Sequence, residues 1–244
     1  MTEKQDDLHS SVSQAVAYFW QTRRSQVEKQ KKTGTRDQGS RGAVTGGAQM
    51  DGFIRLVTKI IESAGIDKKH IYFRKSLELP GYFRPTKEWD LLVVKDKQLL
   101  LALEAKSQVG PSFGNNFNNR TEEAIGSALD LWTAYREGAF NKTVKPWLGY
   151  LFMLEDCAGS QSPVSVKEPH FEVFPEFKGA SYAKRYEIFC RKLLRERHYS
   201  AACFITSHKE KSLKGDFAEP AEDLKFEIFA NSIKAQILTY GVKN

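Results

Sequence analysis

The stretch that decides the fold reads Trp89-Asp90-Leu91-Leu92-Val93-Val94, then Lys95-Asp96-Lys97-Gln98, then Leu99-Leu100-Leu101-Ala102-Leu103-Glu104-Ala105-Lys106. Two apolar runs around a short polar turn read as a β-hairpin. An apolar hairpin has little reason to bury two carboxylates and an ammonium unless they are paired or hold a metal. Side chains alternate along a strand, so Glu104 and Lys106 share one face while Leu103 and Ala105 take the other. A three-residue turn at 96–98 places Asp90 directly opposite Glu104, on that same face. A two-residue turn sends Asp90 to the other face. In the first register, two carboxylates and one cation converge at the end of a rigid hairpin.

An acid-x-Lys triplet alone is cheap. Asp67-Lys68-Lys69, Glu176-Phe177-Lys178 and Asp223-Leu224-Lys225 also fit it, and each reads as solvated surface. Glu104 differs because it ends an apolar run and comes after a second run led by an Asp. An Asp…Glu-x-Lys set of this kind suits metal-dependent phosphodiester hydrolysis. Hard carboxylate oxygens suit Mg²⁺, which keeps several waters and takes one or two carboxylates plus substrate phosphate oxygens. Asp90 and Glu104 are the expected metal ligands, with the Ala105 carbonyl as a third. Asp90, Glu104 and Lys106 are the expected catalytic residues, Lys106 orienting the attacking water or neutralising charge on the phosphate. The bland alternative for Lys106 is an ion pair with Glu104.

Beyond the hairpin, Gly110-Pro-Ser-Phe-Gly-Asn-Asn-Phe-Asn-Asn-Arg120 reads as a polar loop spanning 107–120, with a helix starting at Thr121. Asn and Gln can bond adenine bidentately and Arg does the same to guanine. Gln108, Ser112, Asn115, Asn116, Asn118, Asn119 and Arg120 are therefore the expected DNA contacts; turn-forming chemistry is the competing reason for so many Asn and Gly. Gly110-Pro-Ser-Phe-Gly114 also matches a hydrolase nucleophile elbow, but that motif needs a helix immediately after the serine, and the asparagines beyond it carry no helical apolar pattern. No phosphate-binding Gly-rich loop ending in Gly-Lys-Ser/Thr is present, so no ATP-driven step is implied. The five histidines show no metal-ligand spacing.

The chain has 244 residues, 41% of them hydrophobic, enough for one large domain with appendages. No run approaches the ~18 apolar residues of a membrane helix, and the N-terminus lacks the basic start and apolar core of a secretory signal. Cys157, Cys190 and Cys203 are an odd count without a Cys-x-x-Cys, as expected of a reduced, cytoplasmic protein without zinc. The net charge is +7, and residues 20–48 carry seven basic side chains (Arg23, Arg24, Lys29, Lys31, Lys32, Arg36, Arg41) against Glu28 and Asp37. Such a segment can track a phosphate backbone or be a solvated helix and loop.

Periodicity predicts a long helix over 8–32, with Val12, Val16, Phe19 and Trp20 on one stripe, and a glycine-rich loop over 33–48. An amphipathic helix comes next over 49–64, then a short strand over 71–74. After the Asp90 hairpin, a helix runs to about Arg136 with Ile125, Ala128, Leu129, Trp132 and Tyr135 inward. A strand covered on both faces spans 147–154. A helix (182–197), a strand (201–206) and a final helix (226–240) complete a mixed sheet flanked by helices, an α/β arrangement. The expected division is 1–48, a basic helix and flexible loop, and 49–244, a catalytic domain with C-terminal additions.

The wording of three segments resembles a known family. Gly81-Tyr-Phe-Arg-Pro-Thr-Lys-Glu-Trp-Asp-Leu-Leu-Val-Val94 is similar to the first catalytic strand of XhoI-type restriction endonucleases. Residues 103–123, from Leu-Glu-Ala-Lys to Arg-Thr-Glu-Glu, resemble the second strand and the loop beyond. Ala128-Leu-Asp-Leu-Trp-Thr-Ala-Tyr-Arg-Glu-Gly-Ala-Phe140 continues the match. The resemblance implies the PD-(D/E)XK fold and a prokaryotic type II enzyme acting as a Mg²⁺-dependent homodimer on double-stranded DNA. It also implies cleavage at the palindrome CTCGAG to leave four-base 5′ overhangs, with Asp90, Glu104 and Lys106 in the motif positions. Trp89 stands where the motif has proline, and Asp51 and Glu62 are candidates for an extra acid from the first helix of the nuclease core. Two rivals remain: a repair or junction-resolving nuclease of the same core, and a DNA-binding protein with a decayed site.

Overall fold

The computed structural model describes residues 3–33, 48–141 and 145–242. The glycine-rich loop, with Arg36 and Arg41, lies outside them. In chain order the elements are α1 (Glu3–Thr33), a 3₁₀ turn (Ala48–Met50) running into α2 (Asp51–Ser63), β1 (Ile71–Tyr72), β2 (Glu78–Pro80), β3 (Thr86–Glu88), β4 (Leu91–Lys95) and β5 (Gln98–Gln108). Then come α3 (Phe113–Arg136), β6 (Trp147–Glu155), α4 (Tyr182–Arg195), β7 (Ala201–Ser207) and α5 (Phe226–Val242). The central sheet runs β1-β4-β5-β6-β7, and β2 pairs with β3 in a separate ribbon. The hairpin β4–β5 is antiparallel, while β5, β6 and β7 are parallel, as expected when helical crossovers cover both faces.

Period-two alternation splits the strand residues between two cores. Leu91, Val93, Leu103, Leu151, Met153, Cys203 and Ile205 pack under α1, α2 and α5. Leu92, Ala102, Tyr150, Phe152, Leu154 and Phe204 pack under α3 and α4. The α1 stripe of Val12, Val16, Phe19 and Trp20 is fully buried, and the Trp20 indole N–H donates to Ser207 Oγ at 2.7 Å, tying α1 to β7. The N-terminal helix is thus a layer of the same core as the sheet.

The hairpin turn has two residues, with Lys95 opposite Gln98 and positive φ at Asp96 and Lys97 (51° and 60°), the geometry of a tight hairpin turn. Such a turn by itself sends Asp90 and Glu104 to opposite faces. The register then shifts: Val94 faces Leu99, but Val93 faces Leu101, leaving Leu100 as an extra residue. Leu100 and Leu101 consequently both enter the α1/α2 core, and alternation resumes one step displaced. The bulge restores what the turn took away.

Two expectations are corrected. Residues 113–120 are not loop: α3 begins at Phe113, eight residues before Thr121, because Phe113 stacks on Tyr182 (5.9 Å) and Phe117 meets Tyr186 edge-on (5.0 Å). Packing of this kind outweighs the weak helix propensity of the Asn and Gly between them. Ile125 and Leu129 do not point inward but lie on the solvent side of α3, whose buried line is Ala124, Ala128, Leu131 and Trp132.

Candidate active site

The site forms where β4 begins and β5 continues past it. The Asp90 N–H donates to the Leu103 carbonyl at 3.1 Å, which sets Asp90 level with Glu104. The Ala105 N–H donates to Asp90 Oδ2 at 2.8 Å. A strand residue turns its N–H and C=O to the same side, so the Ala105 carbonyl is directed to the Asp90 side of the strand. Lys106 Nζ contacts Glu104 Oε1 and lies 3.5 Å from Asp90 Oδ2 and 3.7 Å from Glu123 Oε1 on α3. Asp90, Glu104, Ala105 and Lys106 are therefore brought together.

Lys87 joins them. Its Nζ donates to Glu104 Oε2 at 2.7 Å and to the Glu88 carbonyl at 3.0 Å, and sits 4.3 Å from the Trp89 ring centroid. Glu104 is 1% exposed and held by two ammoniums. Burial by itself would raise the Glu104 pKa, but Lys106 and Lys87 more than offset it and leave the carboxyl below its ordinary value. Asp90 goes the other way: burial pushes its pKa up, and Lys106 only partly compensates. Lys106, although buried, is raised by Glu104, Asp90 and Glu123 and is firmly an ammonium.

Beside this cluster a cleft of about 350 Å³ opens between β5, the start of α3 and the layer formed by α1 and α2. Asp90, Ala105 and Lys106 line it, together with Gln108, Ser112, Asn116 and Arg120 of the expected DNA contacts. Asn115, Asn118 and Asn119 are exposed on a different side of α3, because a helix spreads consecutive residues by about 100°. The chain order reads as a run of seven contacts; four of them line the cleft, Gln108 from the end of β5, Ser112 from just before α3, and Asn116 and Arg120 from α3 itself.

Sequence reasoning missed Lys87, Glu123 and Gln49 here, and named Arg23 only as part of a basic segment. Lys87 arrives from the separate β2–β3 ribbon, so its proximity to Glu104 is invisible to alternation along β5. Glu123 reaches Lys106 one turn after Arg120, to which it is paired at 2.6 Å. Arg23 and Gln49 line the far wall of the cleft. Gln49 is buried, with no hydrogen-bond partner for its Oε1 among the described residues. Asp51 is on the exposed side of α2 with Arg55 at 4.0 Å, and neither it nor Glu62 lines the cleft.

A family model described as restriction endonuclease XhoI matches residues 29–219, most of the chain. The chain belongs to the XhoI restriction endonuclease family. It is 54% identical over 214 residues to the type II restriction enzyme BstVI of Geobacillus stearothermophilus, covering 86% of this chain and 96% of that one. To the type II restriction enzyme XhoI of Xanthomonas vasicola it is 50% identical over 182 residues (73% and 72% covered), and to AbrI of Azospirillum brasilense 51% over 166 residues (68% and 74% covered). No solved structure matches the chain. As a member of the XhoI family the chain is a site-specific DNA endonuclease and hydrolase, with the mixed α/β fold expected of it. The structure-directed repair nuclease is thereby set aside. Among the described residues no helix is long and apolar enough to cross a membrane.

The donor set fits a hard divalent cation. Among the described residues no group of three or more His, Cys, Asp or Glu gathers. Two carboxylates and one carbonyl are, however, the small complement with which Mg²⁺ retains its waters. The two ammoniums on Glu104 supply the positive charge such carboxylates require when buried.

Proposed function

We propose that the chain, as a homodimer in the prokaryotic cytoplasm, cuts both strands of double-stranded DNA at CTCGAG. It leaves four-base 5′ overhangs and uses Mg²⁺. The convergence of Asp90, Glu104 and two lysines at the end of the bulged hairpin carries the chemical part of this reading. The target sequence rests on the resemblance over residues 81–94 and 103–123.

Asp90, Glu104 and the Ala105 carbonyl would hold the metal, which when bound acidifies a coordinated water and offsets charge on the phosphate. The residues do the rest. Lys106, held as an ammonium by Glu104, Asp90 and Glu123, is a hydrogen-bond donor rather than a base; it orients the attacking water and stabilises the equatorial phosphate oxygens. The water oxygen adds to phosphorus as the P–O3′ bond breaks, and a proton returns to the departing 3′ oxygen, leaving a 5′-phosphate and a 3′-hydroxyl. Gln108, Ser112, Asn116 and Arg120 line the cleft within reach of bases and phosphates. Asn115, Asn118 and Asn119, exposed on another side of α3, add little to duplex binding in this reading.

The test is digestion of a plasmid of known sequence with purified protein, with Mg²⁺ and with EDTA, mapping the ends. Discrete Mg²⁺-dependent fragments ending at CTCGAG are expected. Ends at another palindrome would overturn the assigned sequence, and cutting in EDTA would overturn the metal.

A further inference from the structure

Of the nine exposed large apolar residues among those described, Ile125 and Leu129 stand on α3, and Tyr82 and Phe83 belong to a segment tied to Asp130 of the same helix. Ile125 (37% exposed) and Leu129 (46%) are one turn apart on the outward side of α3. Tyr82 (54%) and Phe83 (65%) form the tip of the β2–β3 ribbon, and their rings meet edge-on at 4.9 Å. That tip is built, not loose. Asp130 of α3, 3% exposed, accepts the Tyr82 N–H at 2.7 Å and the Phe83 N–H at 2.9 Å on Oδ1, and Arg84 Nε at 2.7 Å on Oδ2. A Cβ at Gly81 would come within 2.6 Å of both the Arg84 carbonyl and Asp130, so only glycine lets the ribbon close onto the helix. One buried carboxylate thus pins two aromatic rings in solvent beside an apolar helix face, an arrangement that asks for a cover.

The cover is a second copy of the chain. We infer that the outward face of α3 pairs antiparallel with itself about a two-fold axis beside Leu129, an inference that rests on the homodimer reading above. The face is self-complementary about that residue. At 3.6 residues per turn Glu122, Ile125 and Arg136 all fall within about 40° of the Leu129 line. Glu122 and Arg136 are both exposed and stand seven positions before and after it. An antiparallel mate therefore sets each Glu122 against the other copy's Arg136, an isologous charge match. Gly126 has nothing within 4 Å of where its Cβ would be, so two helices can approach closely there.

The surface also has a receptacle. A groove of about 360 Å³ runs beside the C-terminal half of α3, lined by Leu129, Trp132, Tyr135 and Arg136 and closed by the 196–198 turn. The two-fold brings Ile125 of one copy level with Thr133 of the other, on the side where this groove opens. The same operation keeps the two catalytic clefts near each other. Glu123, which touches Lys106, lies six residues from the axis, so the two Glu123 residues are about 18 Å apart along the helix, on the order of five base-pair steps. One dimer can then engage both strands of one duplex.

The test uses full-length protein and three samples. Sedimentation equilibrium of the wild type is expected to give a dimer, and Leu129→Glu a folded monomer, with unchanged far-UV circular dichroism because Leu129 contributes little to the core. Facing helices 8–10 Å apart put symmetric Cα atoms roughly 4–5 Å apart, within reach of a disulfide. Leu129→Cys in a Cys157→Ser background should therefore cross-link to a covalent dimer under mild oxidation. A wild-type monomer would overturn the homodimer and this face together. A wild-type dimer with a dimeric Leu129→Glu and no cross-link would leave the homodimer intact and overturn this face alone.

Discussion

Lys87 Nζ lies 2.7 Å from Glu104 Oε2, and the pair is almost wholly removed from solvent. Two ammoniums on one carboxylate hold the charge that a divalent cation would otherwise provide. Replacing Lys87 by Met leaves Glu104 with Lys106 alone, and breaking a buried pair of this kind costs about 3 kcal/mol. Mg²⁺ is then expected to raise the melting temperature of Lys87→Met more than that of the wild type, because the metal restores the missing charge. Equal gains in the two proteins, read by differential scanning calorimetry with and without Mg²⁺, would show that Lys87 and the metal do not share Glu104.

The extra residue in the hairpin makes a second prediction. Deleting Leu100 removes the bulge while the two-residue turn persists, and β5 then alternates without a break: Leu99 still faces Val94, Leu101 still faces Val93, and Asp90 stays level with Glu104. The deletion is therefore expected to keep a cooperative urea transition and cleavage, at a cost of about 2–5 kcal/mol for the lost burial of one leucine. A folded deletion variant that no longer cuts DNA would refute the register argument.

The same residues decide how much of the fold and site is legible in the sequence. The face shared by Asp90, Glu104 and Lys106 is legible, since alternation on a strand is rigid. The route to it is not, because Leu99, Leu100 and Leu101 are chemically uniform and no local signal says which is extra. The start of α3 is hidden for a different reason. Its Asn and Gly favour turns locally, and what holds Phe113 and Phe117 in a helix is Tyr182 and Tyr186, more than sixty positions away. The outward placement of Ile125 and Leu129 defeats a reading in which apolar residues on a helix face the core, and Lys87 reaches Glu104 from another sheet. Element order, α/β class and the face shared by Asp90, Glu104 and Lys106 are local or periodic properties; sheet order, helix boundary, bulge and second lysine are tertiary ones.

The two sides of α3 predict a contrast in DNA binding. Arg120 lines the cleft and is paired with Glu123, while Asn119 next to it is exposed on another side of the helix. Arg120→Ala is expected to weaken binding of the cognate duplex by about 1–3 kcal/mol, the worth of a good base or charged contact. Asn119→Ala should change it by less than about 0.5 kcal/mol. Fluorescence anisotropy with a labelled duplex in EDTA separates the two, and equal losses would mean that the duplex lies along the outward face.

Asp90 and Glu104 are expected to respond oppositely to loss of charge. Burial raises the Asp90 pKa, so the native state holds its proton more tightly than the unfolded chain, and stability falls as pH rises above the ordinary value of 3.8 towards the native value. Glu104 is lowered by its lysines, so its contribution is present above the ordinary value of 4.5 and is lost as pH falls through the native value. Near neutral pH, Asp90→Asn should therefore stabilise the metal-free protein, by up to ~1 kcal/mol, because Asn can still accept the Ala105 N–H while shedding the buried charge. Glu104→Gln should destabilise it by about 3–5 kcal/mol, since two buried ammoniums lose their anion. The Glu104→Gln deficit should shrink as the pH falls from about 4.5 towards the lower native value, first because the unfolded chain's carboxyl takes up a proton and then because the native one does. Both variants should cut DNA at least ~10²-fold more slowly. Urea denaturation at about pH 7 and about pH 4, with a plasmid-cleavage time course, reads all of these. A destabilised Asp90→Asn would mean that Asp90 is held chiefly by Lys106 rather than strained by burial.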